Sequence, residues 1–319
     1  MRSLNERAWE RLEAAIAEQD RLNISQKKME CGARLVDAGV NAPGGLEVGL
    51  VMAEVGMAGL GEARVEMAPL LGALWPWVVA RSDHPLEACF LSQAAHWPVQ
   101  VGGFRAMGSG PACLLNRELA PGRAFDFEER CDHAVLVLET RQLPDEAACL
   151  SLAAACGVEA EHLALFVAPT SSLAGSAQIA ARSLETGLHK LHHLGFDLHR
   201  VVSGMGRCPI ATPTGNDLIS LGKTNDMVIF ASSIWLAIKG ATDQELSILV
   251  ETLPSATSPN YGEPFLQTLK KAGGFYNTDP GLFAPAEATL FNVDSGKVFH
   301  AGQIDQARLA KVIKESDIE

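Results

Sequence analysis

"HAVLVLET" (133–140) and "HLALFVAPT" (162–170), with "PDEAACLSLAAAC" (144–156) between them, decide the fold class. The outer pieces are short aliphatic runs of strand length, and the middle piece opens on Pro144–Asp145 and continues in good helix formers. A helix between two strands is a crossover connection, which joins parallel strands rather than a hairpin. The pattern then repeats. In "GSAQIAARSLETGLHKLHH" (175–193), Ala180, Leu184, Leu188 and Leu191 share one side at 3.6 residues per turn, while Gln178, Arg182, Glu185, His189 and His192 share the other. This reads as one amphipathic helix, and "LHRVVSGMG" (198–206) reads as a third strand. Residues 132–204 therefore form a βαβαβ run. Ligand sites favour the loops at the ends of parallel strands, and here "SSLAGS" (171–176) leads straight into the helix that carries Arg182 and Glu185.

Working outward, a helix is expected at about 4–20, followed by the apolar "ARLVDAGV" (33–40) and the turn-rich "NAPGG" (41–45). "WPWVVARS" (75–82) is an apolar run, "HPLEACFLSQAAHW" (84–97) has helical character, and "GGFRAMGSGPA" (102–112) is a second glycine-rich loop. Beyond 212 the chain reads as strands with polar turns. "MVIFASSIWLAI" (227–238) is expected to be one buried strand, and "ATLFNVDSGKVFHAG" (288–302) a hairpin turning at Asp294, Ser295 and Gly296. The fold class expected is α/β with mixed α+β character, in a two-domain subunit. Residues 81–211 form an inserted α/β domain that includes the helix with Arg182 and Glu185, and residues 1–80 with 212–319 form a discontinuous second domain.

Bulk properties agree with such a chain. At 319 residues, 47% hydrophobic and 20% charged, it can bury two ordinary cores. The formal net charge of −12 argues against a nucleic-acid partner, because phosphate binding needs clustered Lys and Arg. The first twenty residues carry Arg and Glu throughout and lack the apolar centre of a signal peptide. The apolar run at 227–238 is shorter than the roughly 20 residues that span a bilayer, so no membrane segment is expected. Seven cysteines, odd in number and without a C-x-x-C pair, fit a reducing cytoplasm better than a disulfide framework. Cys149 and Cys156 share a face of one helix, as core packing would have them.

Several motifs fail on spacing. "GKT" (222–224) has Asp217 where a phosphate loop needs its first glycine, and "GSG" (108–110) and "GMAGLG" (56–61) lack the dinucleotide spacing. His189, His192 and His193 lie at metal-ligand spacing, but no carboxylate or Cys completes a short motif, and solvated histidines explain them better. Arg182 and Glu185 are themselves ambiguous. An exposed i,i+3 pair is common and is worth about 0.2–0.5 kcal/mol.

A set of blocks in order changes that reading: "NAPGGLEVG" (41–49), "SDHPLEACFLSQAAHWPV" (82–99), "GSGPA" (108–112), "GSAQIAARSLETGLHKL" (175–191), "GFDLHRVVSGMGRCPIA" (195–211), "GKTND" (222–226), "YGEPF" (261–265) and "FYNTDPGLFAPAEATLFN" (275–292). Together they resemble the methenyltetrahydromethanopterin cyclohydrolase family over nearly the full chain. The resemblance implies a cytoplasmic enzyme of one-carbon metabolism that reversibly hydrolyses the methenyl bridge of a tetrahydromethanopterin to the N5-formyl form. It implies no metal and no redox cofactor, a homotrimer, and a pterin pocket between two domains. The family's catalytic arginine and glutamate fall on Arg182 and Glu185. Substrate-binding positions are expected at Asn41, Gly44, Gly45, Ser109, Gly110, Ser176, Lys223, Thr224 and Asn225. Lys223, Arg207, Cys208, Asn277 and Thr278 depart from the family pattern, and a Lys-for-Arg exchange loses bidentate recognition of an anionic tail. Two rival readings are a pterin-binding protein without turnover and a metal hydrolase using His189, His192 and Cys208.

Overall fold

A computed structural model describes residues 2–119, 121–274 and 277–315. Twelve strands are described: β1 Ser25–Lys28, β2 Arg34–Asp37, β3 Gly61–Leu70, β4 Ala73–Ser82, β5 Ala95–Val101, β6 Phe104–Ser109, β7 Ala134–Glu139, β8 Leu163–Ala168, β9 Val201–Pro209, β10 Ser233–Ile238, β11 Glu287–Asn292 and β12 Val298–Gly302. They form two six-stranded sheets, ordered β1-β2-β8-β7-β6-β5 and β12-β11-β10-β9-β4-β3. The chain divides into two compact units, residues 1–62 with 87–178 and residues 63–86 with 179–319.

This division differs from the expected one. Strands β1 and β2 add to the sheet of β7 and β8, while β4 pairs with β9. Residues 1–62 therefore belong with the expected insert rather than with the C-terminal part. The choice is made by pairing between strands far apart in sequence, which no local pattern records.

In the first unit, β2, β8 and β7 run parallel. Their residues alternate between two cores. Leu136, Leu138, Leu163, Leu165 and Val167 pack with Cys149, Leu152 and Cys156 of the helix Glu146–Cys156. Val135, Val137, Ala164, Phe166 and Ala168 pack on the other side with Ala8 and Leu12 of the helix Leu4–Ala17 and with Val48 and Met52 of the helix Leu46–Gly56. Parallel strands covered on both faces must be apolar at every position, as β7 and β8 nearly are. Burial raises the thiols of Cys149 and Cys156 to about 12, so both behave as core hydrophobes.

The expected third strand of the βαβαβ run, β9, lies in the second unit's sheet, so only the βαβ part holds within one sheet. There β9 pairs antiparallel with β4 and β10, and β10 runs parallel to β11. The β11–β12 hairpin forms as expected, with Gly296 at φ 77° in its turn. The run 227–238 is not one strand. Residues up to Ala231 end the helix Asp217–Ala231, which Asn216 caps, and β10 begins at Ser233. A continuous apolar run is read equally well as buried helix or buried strand, and here it is half of each.

Candidate active site

In the first unit the carboxyl ends of the parallel strands carry polar residues. Asp37, at the end of β2 and 2% exposed, accepts four backbone N–H groups: Gly39 and Val40 on Oδ1, Asn41 and Ala42 on Oδ2. One carboxylate thus shapes the whole turn into "NAPGG". Gly44 sits at φ 62°, and any Cβ there would collide with the Ala38 carbonyl, so this bend needs glycine. At the end of β7, Glu139 accepts from the Gln178 amide at 2.8 Å and from the Thr170 hydroxyl at 3.3 Å. The chain leaving β7 enters the helix on one face of the sheet, and the chain leaving β8 enters the helix Leu173–Ala180 on the other, where Ala174 is buried. Neighbouring parallel strands whose connections diverge in this way make a topological switch point, where α/β sheets place ligands.

Leaving the first unit, the chain does not continue as the single helix expected over 175–193. One helix ends at Ala180 and another runs Ser183–His193, with Ala181 and Arg182 in the turn between them. From Arg182 onward the polar residues are buried to different degrees. Arg182 is 6% exposed and Glu185 7%, the His189 side chain is 37% exposed, and His192 lies open to solvent. Arg182 Nε donates to Glu185 Oε2 at 2.8 Å, and His189 Nε2 lies 3.3 Å from Glu185 Oε1. Both oxygens of the carboxylate are therefore addressed. A buried pair of this kind is held against a large desolvation cost, unlike the solvated pair that spacing alone suggests.

The rest of that helix is anchored by packing. Lys190, 4% exposed, donates to Gly281 O at 3.0 Å and to Thr257 Oγ1 at 3.2 Å; burial lowers its pKa, and Asp279 partly offsets this. On the sheet side, a Cβ on Gly206 would stand 2.5 Å from Leu184 N and 2.6 Å from Ser183 Oγ, so the turn bearing the pair lies directly on β9.

The expected binding residues fall in both units. Asn41, Gly44, Gly45, Ser109, Gly110 and Ser176 belong to the first; Lys223, Thr224 and Asn225 belong to the second. Asn41 is exposed, Gly45 precedes the first turn of its helix, Ser109 closes β6 with Gly110 at φ 98°, and Ser176 Oγ donates to Thr170 O at 3.5 Å. "GKTND" lies inside a helix rather than in a loop. Thr224 Oγ1 and Asn225 Nδ2 donate to Leu221 O, and Lys223 is buried. Among the departures, Arg207 stacks over Trp77, Cys208 is fully buried, and Thr278 Oγ1 donates to Gly274 O; Phe275 and Tyr276 lie outside the described residues. Among the described residues, no three of His, Cys, Asp or Glu are grouped so as to hold a metal ion. His189, His192 and Cys208 are thus not brought together as the rival reading needs.

Residues 3–313 match the family described as cyclohydrolase (MCH). The chain belongs to this family. Among cyclohydrolase relatives, the methenyltetrahydromethanopterin cyclohydrolase of Methanococcoides burtonii is 38% identical over 309 residues, 96% of each chain. That of Methanocaldococcus jannaschii is 38% identical, covering 99% of this chain and 98% of its own. That of Methylobacillus flagellatus is 38% identical, covering 90% and 88%. Within this cyclohydrolase, sequence reasoning missed Asp37 and Glu139 as organisers of the strand ends. "VDAGVN" carried a signal for the first, since Asp before a glycine-containing turn caps backbone N–H groups; nothing local marked the second.

Proposed function

We propose that this chain catalyses the reversible hydrolysis of 5,10-methenyltetrahydromethanopterin to the 5-formyl compound, a step of one-carbon metabolism. The buried Arg182–Glu185 pair is the observation that carries the reading. A methenyl bridge between two nitrogens is an amidinium-like cation, electrophilic enough for water to attack its carbon without a Lewis acid or a redox cofactor. What the attack needs is a base. Glu185 takes a proton from the attacking water, assistance worth about 10²–10⁴-fold. A carboxylate beside the cation also stabilises the ground state, and that attraction fades as attack neutralises the cation. Arg182 opposes the cation and fixes the carboxylate, offsetting this loss.

Asn41, Gly44, Gly45, Ser109, Gly110, Ser176, Lys223, Thr224 and Asn225 are assigned to pterin and tail recognition. Lys223 meets an anionic tail as a point charge rather than a bidentate fork. We assign the enzyme to the cytoplasm, in keeping with seven unbridged cysteines. No described helix is long and apolar enough to cross a membrane. For the homotrimer that the family resemblance implies, the second sheet offers an apolar face to bury, where Met205 and Trp235 are exposed, Trp235 stacks on Phe291, and Val298 is 59% exposed.

The test mixes purified protein, expected at about three times the 34.0 kDa chain mass by light scattering, with methenyltetrahydromethanopterin and follows its near-ultraviolet chromophore. Catalysed loss of the chromophore is expected. Turnover of the folate analogue alone would reassign the substrate.

A further inference from the structure

The proposed reaction releases a proton that the nearly buried carboxylate has to pass out to bulk solvent. The water oxygen bonds to the methenyl carbon, and the bond from that carbon to N10 breaks with its electron pair going to N10. Of the two water protons one ends on N10. The other is released, because a monocation becomes a neutral formyl compound. Glu185 must therefore lose a proton in every cycle, yet it is 7% exposed.

Resting on that reading, we propose that His189 is the relay through which Glu185 returns its proton to solvent. The ring stands on the same helix face one turn on, with Nε2 3.3 Å from Glu185 Oε1, and its side chain is 37% exposed against 9% for that of Glu185. One end of the imidazole thus meets the carboxylate while the ring reaches water. Contacts that carry protons are often slightly long before substrate binds. Arg182 holds the other oxygen, Oε2, so the acceptor side of the carboxylate is directed at His189. In the step itself, the Glu185 carboxyl proton passes to Nε2, and the resulting imidazolium gives a proton to bulk water. No oxidant, metal or second substrate takes part. The exposed His192 lies next along the same helix.

The experiment compares wild type, His189→Ala and His189→Gln in the chromophore assay, at low buffer concentration and with added imidazole or pyrazole. Gln retains a hydrogen bond to Glu185 and guards against a folding defect, but it carries no proton. Both variants should lose at least about tenfold in kcat with KM little changed. For His189→Ala, imidazole should restore turnover several-fold in proportion to its concentration, while pyrazole, the same size but far less basic, should not. Wild type should be indifferent to both and should release one proton per chromophore lost, read with a pH indicator. Wild-type turnover in either variant, or rescue by pyrazole as good as by imidazole, would overturn the relay and leave the hydrolase reading standing. A wild-type chain with no turnover would remove both.

Discussion

Burial changes what single side chains are worth in this molecule. An exposed Arg182–Glu185 pair would contribute a few tenths of a kcal/mol, whereas removing one partner of a buried pair leaves an uncompensated charge at a cost of about 3–5 kcal/mol. The same logic governs Asp226, 3% exposed on the helix Asp217–Ala231. Its Oδ1 accepts from Phe265 N at the start of the helix Phe265–Ala272, where Pro264 supplies no side-chain cap. Burial raises its pKa from 3.8 to about 8, with the Phe265 hydrogen bond opposing. A carboxyl whose folded pKa is raised favours the folded state most below its unfolded pKa, and that contribution is lost as pH rises through the folded value. Unfolding by urea should therefore show a stability component that declines between about pH 4 and pH 8. Asp226→Asn, which keeps the acceptor and removes the titration, should flatten that decline. An unchanged slope would assign the decline to other groups.

At the scale of elements, the close approach of the helix Ser183–His193 to β9 sets where the Arg182–Glu185 pair stands. Gly204 and Gly206 share the inner side of β9, but their missing side chains leave room for different things. A Cβ on Gly204 meets the mobile end of Leu184, 2.7 Å from Cδ1, whereas on Gly206 it meets the Leu184 backbone nitrogen, in the stretch between Arg182 and Glu185. The wholly buried Ser183 Oγ, 2.6 Å from that Cβ, leaves the contact little slack. Overpacking costs about 1–3 kcal/mol at either site. Only Gly206→Ala displaces the backbone of the pair, and misplacement by an ångström can cost about 10²-fold in rate. Gly206→Ala should thus lower kcat by at least about tenfold, and Gly204→Ala should lower the melting temperature with kcat nearly kept. Equal kcat losses would remove the contact from catalysis. None of this was legible in "SGMG". The spacing of Leu184, Leu188 and Leu191 revealed the helix, but a break at Ala181–Arg182 leaves no mark in a period that continues on both sides.

For the whole molecule, local pattern revealed the parallel pair β7–β8, the β11–β12 hairpin and the amphipathic character of the helix Ser183–His193. It did not reveal which sheet each strand joins, because β1–β2 and β3–β4 are assigned by partners more than a hundred residues away. It also could not say whether Arg182 and Glu185 faced water, since polar residues on an amphipathic helix look the same in sequence whether exposed or buried. If Arg182 and Glu185 work as one buried unit activating water, a double-mutant cycle in the chromophore assay reads their coupling. Glu185→Gln, which keeps the shape and removes the base, should lower turnover by at least about 10²-fold with binding less affected. Arg182→Ala should lower it as well, and the double variant should lose far less than the product of the two single losses. Folded single variants that turn over like wild type, or losses that simply multiply, would contradict the account.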